Sequence, residues 1–277
     1  MVYANSTQSL NDSPYGRGKA KAADLLRDTA HSVGASFLDV ILPNLFGEHG
    51  RSDYNSFVAT FVHRVISEQS PTVQDKPITL LHAQDAAQAL IDGLTASFGA
   101  EQLAPTSTAT TVGEVLRTLK YQFGQYRSGD IPALASNLEV RLFNTLRAAM
   151  FQTYPPVPLH RHVDSRGSLV ETVRAHGSEG QTFFSSTRPG VTRGQHFHLR
   201  KIERFVVVGG QARISLRRVL TDETITFDVD GDEPCIIDMP TLWAHNITNT
   251  GSSELATIFW TNELFDPTDP DTYREEV

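Results

Sequence analysis

From Gly190 to Gly210 the chain reads GVTRGQHFHLRKIERFVVVGG. Gly190, His196, His198, Glu203 and Gly210 stand there in the spacing G-x5-H-x-H-x4-E-x6-G. Two histidines two residues apart on an extended chain project to one face. Glu203 reaches that face from the following strand once the chain turns. Imidazole nitrogens with one carboxylate are a donor set for zinc, iron, nickel or manganese. A fourth donor has to come from a distant strand, and His245, in PTLWAHNITN (Pro240–Asn249), is placed for it. With ten histidines in the chain, a bare H-x-H is expected by chance roughly 0.4 times. Fixing the glutamate and both glycines lowers that to on the order of one in several thousand.

Around this stretch lie short β-branched or aromatic runs separated by turn residues, at 168–173, 181–187, 203–208, 211–219, 224–229, 235–239 and 254–261. Such spacing predicts a sandwich or barrel. A proline-rich connector, YPPVPL at 154–159, precedes them. Upstream the pattern is different. Helical periods at 16–33, 53–68, 84–97, 111–125 and 131–150 alternate with strand-like runs at 37–42 and 78–82, which predicts an α/β layer with parallel strands. The chain has 277 residues, a formal net charge of −8 and a single cysteine, Cys235. The charge argues against nucleic acid or an anionic membrane as the main partner. One cysteine excludes a disulfide-built secreted scaffold. With no apolar run of membrane-spanning length and no signal-peptide pattern, the expectation is a cytoplasmic protein. Residues 1–155 hold 12 basic and 14 acidic side chains and the rest 12 and 18, so the acidity sits mostly in the β half.

The G-x5-H-x-H-x4-E-x6-G pattern resembles the first motif of the cupin superfamily. The second motif is matched at Pro240, His245 and Asn249, with Leu242 where the pattern has glycine. DSRGSLVE (Asp164–Glu171) and RGQH (Arg193–His196) resemble nucleotide-sugar epimerases that act beside a 4-keto group. In such enzymes a base removes the proton α to the carbonyl and the enolate is reprotonated from the other face. A metal or hydrogen-bond donors stabilise the enolate oxygen. The planar guanidiniums of Arg166 and Arg193 suit a diphosphate.

In the first half, YGRGK (Tyr15–Lys19) opens a predicted helix and spaces a tyrosine and a lysine one turn apart. A lysine beside a phenol lowers its pKa and fits it for proton transfer. With the strand-like VYAN running into Ser6, with PNLFG (Pro43–Gly47) and with HAQD (His82–Asp85), this resembles the extended short-chain dehydrogenase/reductase family. The resemblance implies that Ser6 polarises the carbonyl, Tyr15 is the acid/base and Lys19 tunes it. It also places Asn44, Tyr54 and Asn55 near the sugar nucleotide.

Together the halves resemble the bifunctional capsular-polysaccharide enzymes of the CapF type, colinearly from residue 1 to 277 and including the tail FDPTDPDTY (Phe265–Tyr273). The resemblance implies an incomplete Rossmann-like α/β domain at 1–153 and an all-β cupin barrel at 154–277. It implies C3 epimerisation of a UDP-linked 4-keto-6-deoxy-N-acetylhexosamine by the barrel. An NADPH-dependent reductase half then yields a deoxy-talosamine sugar nucleotide. A divalent metal on His196, His198, Glu203 and His245, with zinc the first choice, a UDP-sugar and a homodimer complete the expectation. The chain departs from the family in lacking the glycine-rich strand–turn–helix that holds the NADP(H) pyrophosphate. GEHG (Gly47–Gly50) opens no suitable helix. The expectation is therefore a C-terminal portion of such an enzyme, with the first 150 residues less stable than the barrel and no reductase turnover. Two alternatives stay open: a non-catalytic metal-binding cupin on an α/β scaffold, and another metal-dependent cupin enzyme.

Overall fold

A computed structural model describes residues 1–69, 71, 73–95, 101–151, 153–154, 156–165, 167–177 and 180–277, without the side chains of 167–169. These form two compact units, Met1–Thr118 and Leu119–Val277. Residues 119–153, helical in sequence, are counted with the second unit.

The first unit contains β1 (Val2–Ser6), α1 (Pro14–Ser32), β2 (Leu38–Leu42), β3 (Asn44–Phe46), α2 (Phe57–Ile66), β4 (Pro77–His82), α3 (Ala83–Thr95), β5 (Gln102–Leu103) and β6 (Thr108–Thr111). Helix α4 (Val112–Tyr126) begins in it and ends in the second. β1, β2 and β5 form a parallel sheet, and β4 pairs parallel to β3 and antiparallel to β6. Leu38, Val40, Leu42, Leu81 and Ala86 make its core, with Val2, Ala4, Leu90 and Leu103 against them. Helix α1 starts where the sequence marks it. Ser13 Oγ accepts from Gly16 N at 2.9 Å, and Pro14 occupies the first turn, where a missing N–H costs nothing. Helix α2 starts at Phe57 rather than at the expected residue 53. Asp53 and Asn55 take left-handed φ values of 54° and 55°, and Ser56 Oγ caps the helix by accepting from Ala59 N. No helix among the described residues is long and apolar enough to cross a membrane.

The second unit opens with the end of α4 and α5 (Asn137–Met150). Its strands are β7 (Val157–Pro158), β8 (Arg161–Asp164), β9 (Gly167–Val170), β10 (Gln181–Thr187), β11 (Thr192–Phe197), β12 (Glu203–Gly209), β13 (Gln211–Arg218), β14 (Thr224–Asp230), β15 (Cys235–Met239), β16 (Trp243–Asn249), β17 (Leu255–Thr261) and β18 (Tyr273–Arg274). Two antiparallel five-stranded sheets run β10-β17-β12-β15-β7 and β14-β13-β16-β11-β18, and β8 pairs with β9 as a separate hairpin. The core holds Phe205, Val207, Ile214, Leu216, Ile237, Met239, Trp243, Ile247 and Phe259. Helix α5 starts at Asn137, capped by Ser136, and not at 131, because Ile131 is taken up in a parallel bridge to Ala175. It carries a buried arginine: Arg147 donates to Asn144 Oδ1 at 3.2 Å and to the Met239 carbonyl at 2.9 Å. β12 is buried on both faces. Its outer side places Arg204 opposite Asp238 of β15 in a two-pronged ion pair at 2.7 and 2.9 Å, with a further bond to the Gly129 carbonyl at 2.6 Å.

Candidate metal centre

His196 is the last residue but one of β11, His198 follows in the connecting turn, Glu203 begins β12 and His245 sits in β16. The RGQH stretch has a geometric role. Gly194 lies opposite Asn246 and His196 opposite His245, so Gln195 is an extra residue in a β-bulge. Gly194 has φ 98° and Gln195 φ 65°. A Cβ on Gly194 would meet the His245 carbonyl oxygen at 2.7 Å and Asn246 Cα at 3.0 Å. Only glycine allows β11 to approach β16 this closely, and the bulge re-aims His196 beside His245, with ring centroids 4.5 Å apart.

One ligand atom from each of His196, His198, Glu203 and His245 lies within 4.8 Å of all the others. The outer nitrogens decide how the rings face inward. His198 Nδ1 donates to the Asp271 carbonyl at 2.5 Å, and His245 Nδ1 faces the Trp243 carbonyl at 3.3 Å. A neutral ring that donates through Nδ1 presents an unprotonated Nε2. Those two Nε2 atoms stand 3.0 and 3.2 Å from the same oxygen, Glu203 Oε2. His245 Nε2 is close to it but off hydrogen-bond alignment, leaving a buried nitrogen without a hydrogen-bond partner. Lone pairs converging on one point need a proton or a cation between them, and protons and metal compete for such a site. Burial opposes ionisation of Glu203, but His198 and His245, whenever either ring is protonated, outweigh it and hold the carboxyl well below its usual range. Burial first, then His245 and His198, pushes His196 down to about 4, so its ring is neutral and free to ligate at neutral pH. The donor set and the orphaned nitrogen fit a divalent metal.

The tail closes over the turn between the ligands. The Asp271 carboxylate accepts from the N–H groups of Leu199, Arg200 and Lys201 at 3.1, 3.0 and 2.7 Å. β18 pairs with β11, placing Arg274 opposite His196 and Tyr273 opposite Phe197, whose rings stack. Three ligands are buried, whereas His196 is partly open to a cavity of about 380 Å³ lined also by Gly194, Gln195, Thr272 and Arg274. Arg193 faces elsewhere: its guanidinium is held by Thr187 Oγ1 at 3.0 Å and the Ser186 carbonyl at 3.1 Å. Arg166 lies outside the described residues.

In the first unit the residues expected for reduction are not assembled into a relay. Lys19 Nζ donates to the Ala4 carbonyl at 2.8 Å and lies 5.0 Å from the Tyr3 ring centroid. Ser6 Oγ accepts from Gln8 N at 3.2 Å as the cap of a short helical turn, Thr7–Leu10. Tyr15 is 53% exposed, and its side chain makes no hydrogen bond among the described residues. Asn44 lines a cavity of about 730 Å³ with Thr7, Phe57, Lys76 and Thr79, and its Nδ2 donates to the Thr79 carbonyl at 3.2 Å. Tyr54 and Asn55 are not in that lining; Tyr54 is exposed, under the Arg51 guanidinium.

Residues 4–101 match the NAD dependent epimerase/dehydratase family and residues 162–273 the polysaccharide biosynthesis C-terminal domain. UDP-2-acetamido-2,6-beta-L-arabino-hexul-4-ose reductase of Pseudomonas aeruginosa is 32% identical over 279 residues, covering 99% of this chain and 74% of the relative. The crystal structure of the capsular polysaccharide assembling protein CapF from Staphylococcus aureus matches with a TM-score of 0.56 at 32% identity, over 100% of this chain and 78% of CapF. The chain belongs to the CapF-type enzyme family. A shorter relative, the spore coat polysaccharide biosynthesis protein SpsL of Bacillus subtilis, is 28% identical over 125 residues, 42% of this CapF-type chain and 83% of SpsL. Two residues of this CapF-type site escape sequence reasoning. Asp271 and Arg274 lie some seventy positions from the histidines they adjoin, and the only local signal is the acid–proline run DPTDPD.

Proposed function

We propose that this chain modifies a UDP-linked 4-keto sugar in polysaccharide biosynthesis, and that its second unit is a cupin that epimerises C3 of a UDP-4-keto-6-deoxy-N-acetylhexosamine. The substrate class follows the Pseudomonas aeruginosa relative, whose name specifies a UDP-linked hexul-4-ose. The observation that carries the reading is the convergence of two imidazole Nε2 atoms on Glu203 Oε2, beside the partly open His196. His196, His198, Glu203 and His245 would hold a divalent metal, zinc first. Such a cation supplies Lewis-acid stabilisation to the oxygen of a ketone losing its α-proton. Among the four ligands His196 alone is partly open, so approach is from its side. There Arg274, whose side chain has no ion pair or hydrogen bond among the described residues, is available to a diphosphate that the committed Arg193 is not. The NADPH-dependent reduction to a deoxy-talosamine product is not part of the proposal: Lys19 Nζ bonds the Ala4 carbonyl, and the Tyr15 side chain has no hydrogen-bond partner among the described residues.

The test is solvent deuterium incorporation at C3 of the UDP-4-keto sugar, read by NMR with metal content measured in parallel. Exchange by the native chain that is lost in His196→Ala is the expected result. Full metal loading without exchange would remove the epimerase. That outcome favours the second reading, a structural metal, which the four-protein-ligand set also supports. A chelator would then lower the Tm and change nothing else.

A further inference from the structure

We propose that Asp271 is the positioning residue of the metal centre: it fixes the ring of His198 and the turn that sets His198 against Glu203. The proposal rests on the metal reading above and adds a residue that acts through the ligands.

Asp271 is 2% exposed and sits at φ 43°, a conformation that L residues rarely adopt. It engages one loop with both of its polar ends. Its carboxylate takes three consecutive main-chain N–H groups, of Leu199, Arg200 and Lys201. Its main-chain carbonyl takes the Nδ1 proton of His198 at 2.5 Å. Those three residues, with Ile202, are the whole link between His198 and Glu203. A carboxylate alone would cap the turn. A carbonyl alone would orient the ring. The left-handed backbone presents both to the same loop, so turn and ring are set by one residue. Hydrogen bonds behind a ligating histidine fix its tautomer and orientation, and losing them weakens metal binding by about 10–100-fold.

The tail is tied down on both sides of Asp271. Arg200 pairs with Glu263 at 3.2 Å and Asp269 at 2.9 Å, and Lys201 Nζ donates to the Pro270 carbonyl at 2.7 Å. Beyond it, β18 pairs with β11, and the N–H groups of Glu275 and Val277 donate to Gln195. The acid–proline tail therefore serves to deliver one carbonyl and one carboxylate to a loop some seventy residues earlier.

The experiment uses the full chain, stripped of metal, with Asp271→Asn, Asp271→Gly and Asp271→Ala. Asp271→Gly relieves the backbone conformation while removing the carboxylate, and Asp271→Asn keeps one acceptor oxygen. Far-ultraviolet circular dichroism establishes that each variant is folded, and Asp271→Asn serves if the others are not. Two readouts follow: long-range ¹H–¹⁵N NMR of the histidine side chains without metal, and titration with Co²⁺ followed by its visible absorption. Native His198 is expected as the Nδ1–H tautomer. The glycine and alanine variants should show a mixture of Nδ1–H and Nε2–H tautomers at His198, about 10–100-fold weaker Co²⁺ binding and a changed visible band, with Asp271→Asn between. A native His198 tautomer and native Co²⁺ affinity in Asp271→Gly would overturn the proposal while leaving the metal reading intact. A native chain that takes up no Co²⁺ would remove the metal reading, and the tautomer measurement would still decide whether Asp271 sets the ring.

Discussion

Gly194→Ala tests the claim that close strand approach builds the centre. Two costs can be worked from the structure. An alanine at φ 98° is held outside the usual L-residue regions, at about 1–3 kcal/mol. Its Cβ would lie 2.7 Å from the His245 carbonyl oxygen and 3.0 Å from Asn246 Cα. Both are backbone atoms of β16, so no side chain can swing away, and separating the strands costs about 1–3 kcal/mol more. The restricted unfolded chain returns about 0.4–1 kcal/mol. The net loss is about 1–6 kcal/mol, with a middle value of about 3 kcal/mol that corresponds to roughly 6–12 °C in Tm for a unit of this size. Both tryptophans, Trp243 and Trp260, are buried in the second unit. Their fluorescence in a urea titration of the metal-free chain therefore reads that unit alone. Moving β16 also moves His245, so metal affinity should fall in the same variant. An unfolding midpoint and metal affinity equal to those of the native chain would refute the reasoning.

Three further outcomes are expected. Arg204→Met leaves Asp238 buried without its partner and should cost about 3–5 kcal/mol by tryptophan fluorescence, much of it recovered in the Arg204→Met, Asp238→Leu double variant. Burial opposes ionisation of Asp238, but Arg204 outweighs it and depresses its pKa. Its contribution is therefore full above the unfolded carboxylate value of about 3.9 and is lost as pH falls below it; acid titration of Arg204→Met should lose that slope. Leu242 stands at φ 63°; a β-branched residue suits that conformation worst, so Leu242→Val should lower the unfolding free energy by about 1–2 kcal/mol in the urea titration and more than Leu242→Gly does. Gly18 lies within α1 with open space where a methyl group would project, so Gly18→Ala should raise the helical melting transition by about 0.5–1 kcal/mol and leave the tryptophan transition unmoved.

Much of the architecture was legible. Ser13 and Pro14 mark the start of α1, and apolar alternation marks β12 to β15 and β17. Two of the strands that carry the site are not marked that way. β11 (TRGQHF) and β16 (WAHNITN) place histidine, glycine and asparagine where alternation looks for apolar side chains, so the residues that make the site also erase the strand signal. The shift of α2 from 53 to Phe57 has a similar cause: local turn chemistry at Asp53, Asn55 and Ser56 overrode the helical period.

Spacing singles out His196, His198 and Glu203, because metal-type donors at strand periodicity are a local pattern; His245 enters only as the donor that a distant strand has to supply. Residue type also made Tyr15 and Lys19 a pair and Arg193 a diphosphate ligand. Only the tertiary structure showed Lys19 turned to the Ala4 carbonyl, Arg193 held by Ser186 and Thr187, and Arg274 left uncommitted beside His196. It alone brought Asp271 under His198. The physical reason is range: a strand's period tells which face a side chain takes, whereas a hydrogen bond between residues 73 positions apart exists only after two sheets and a tail have packed.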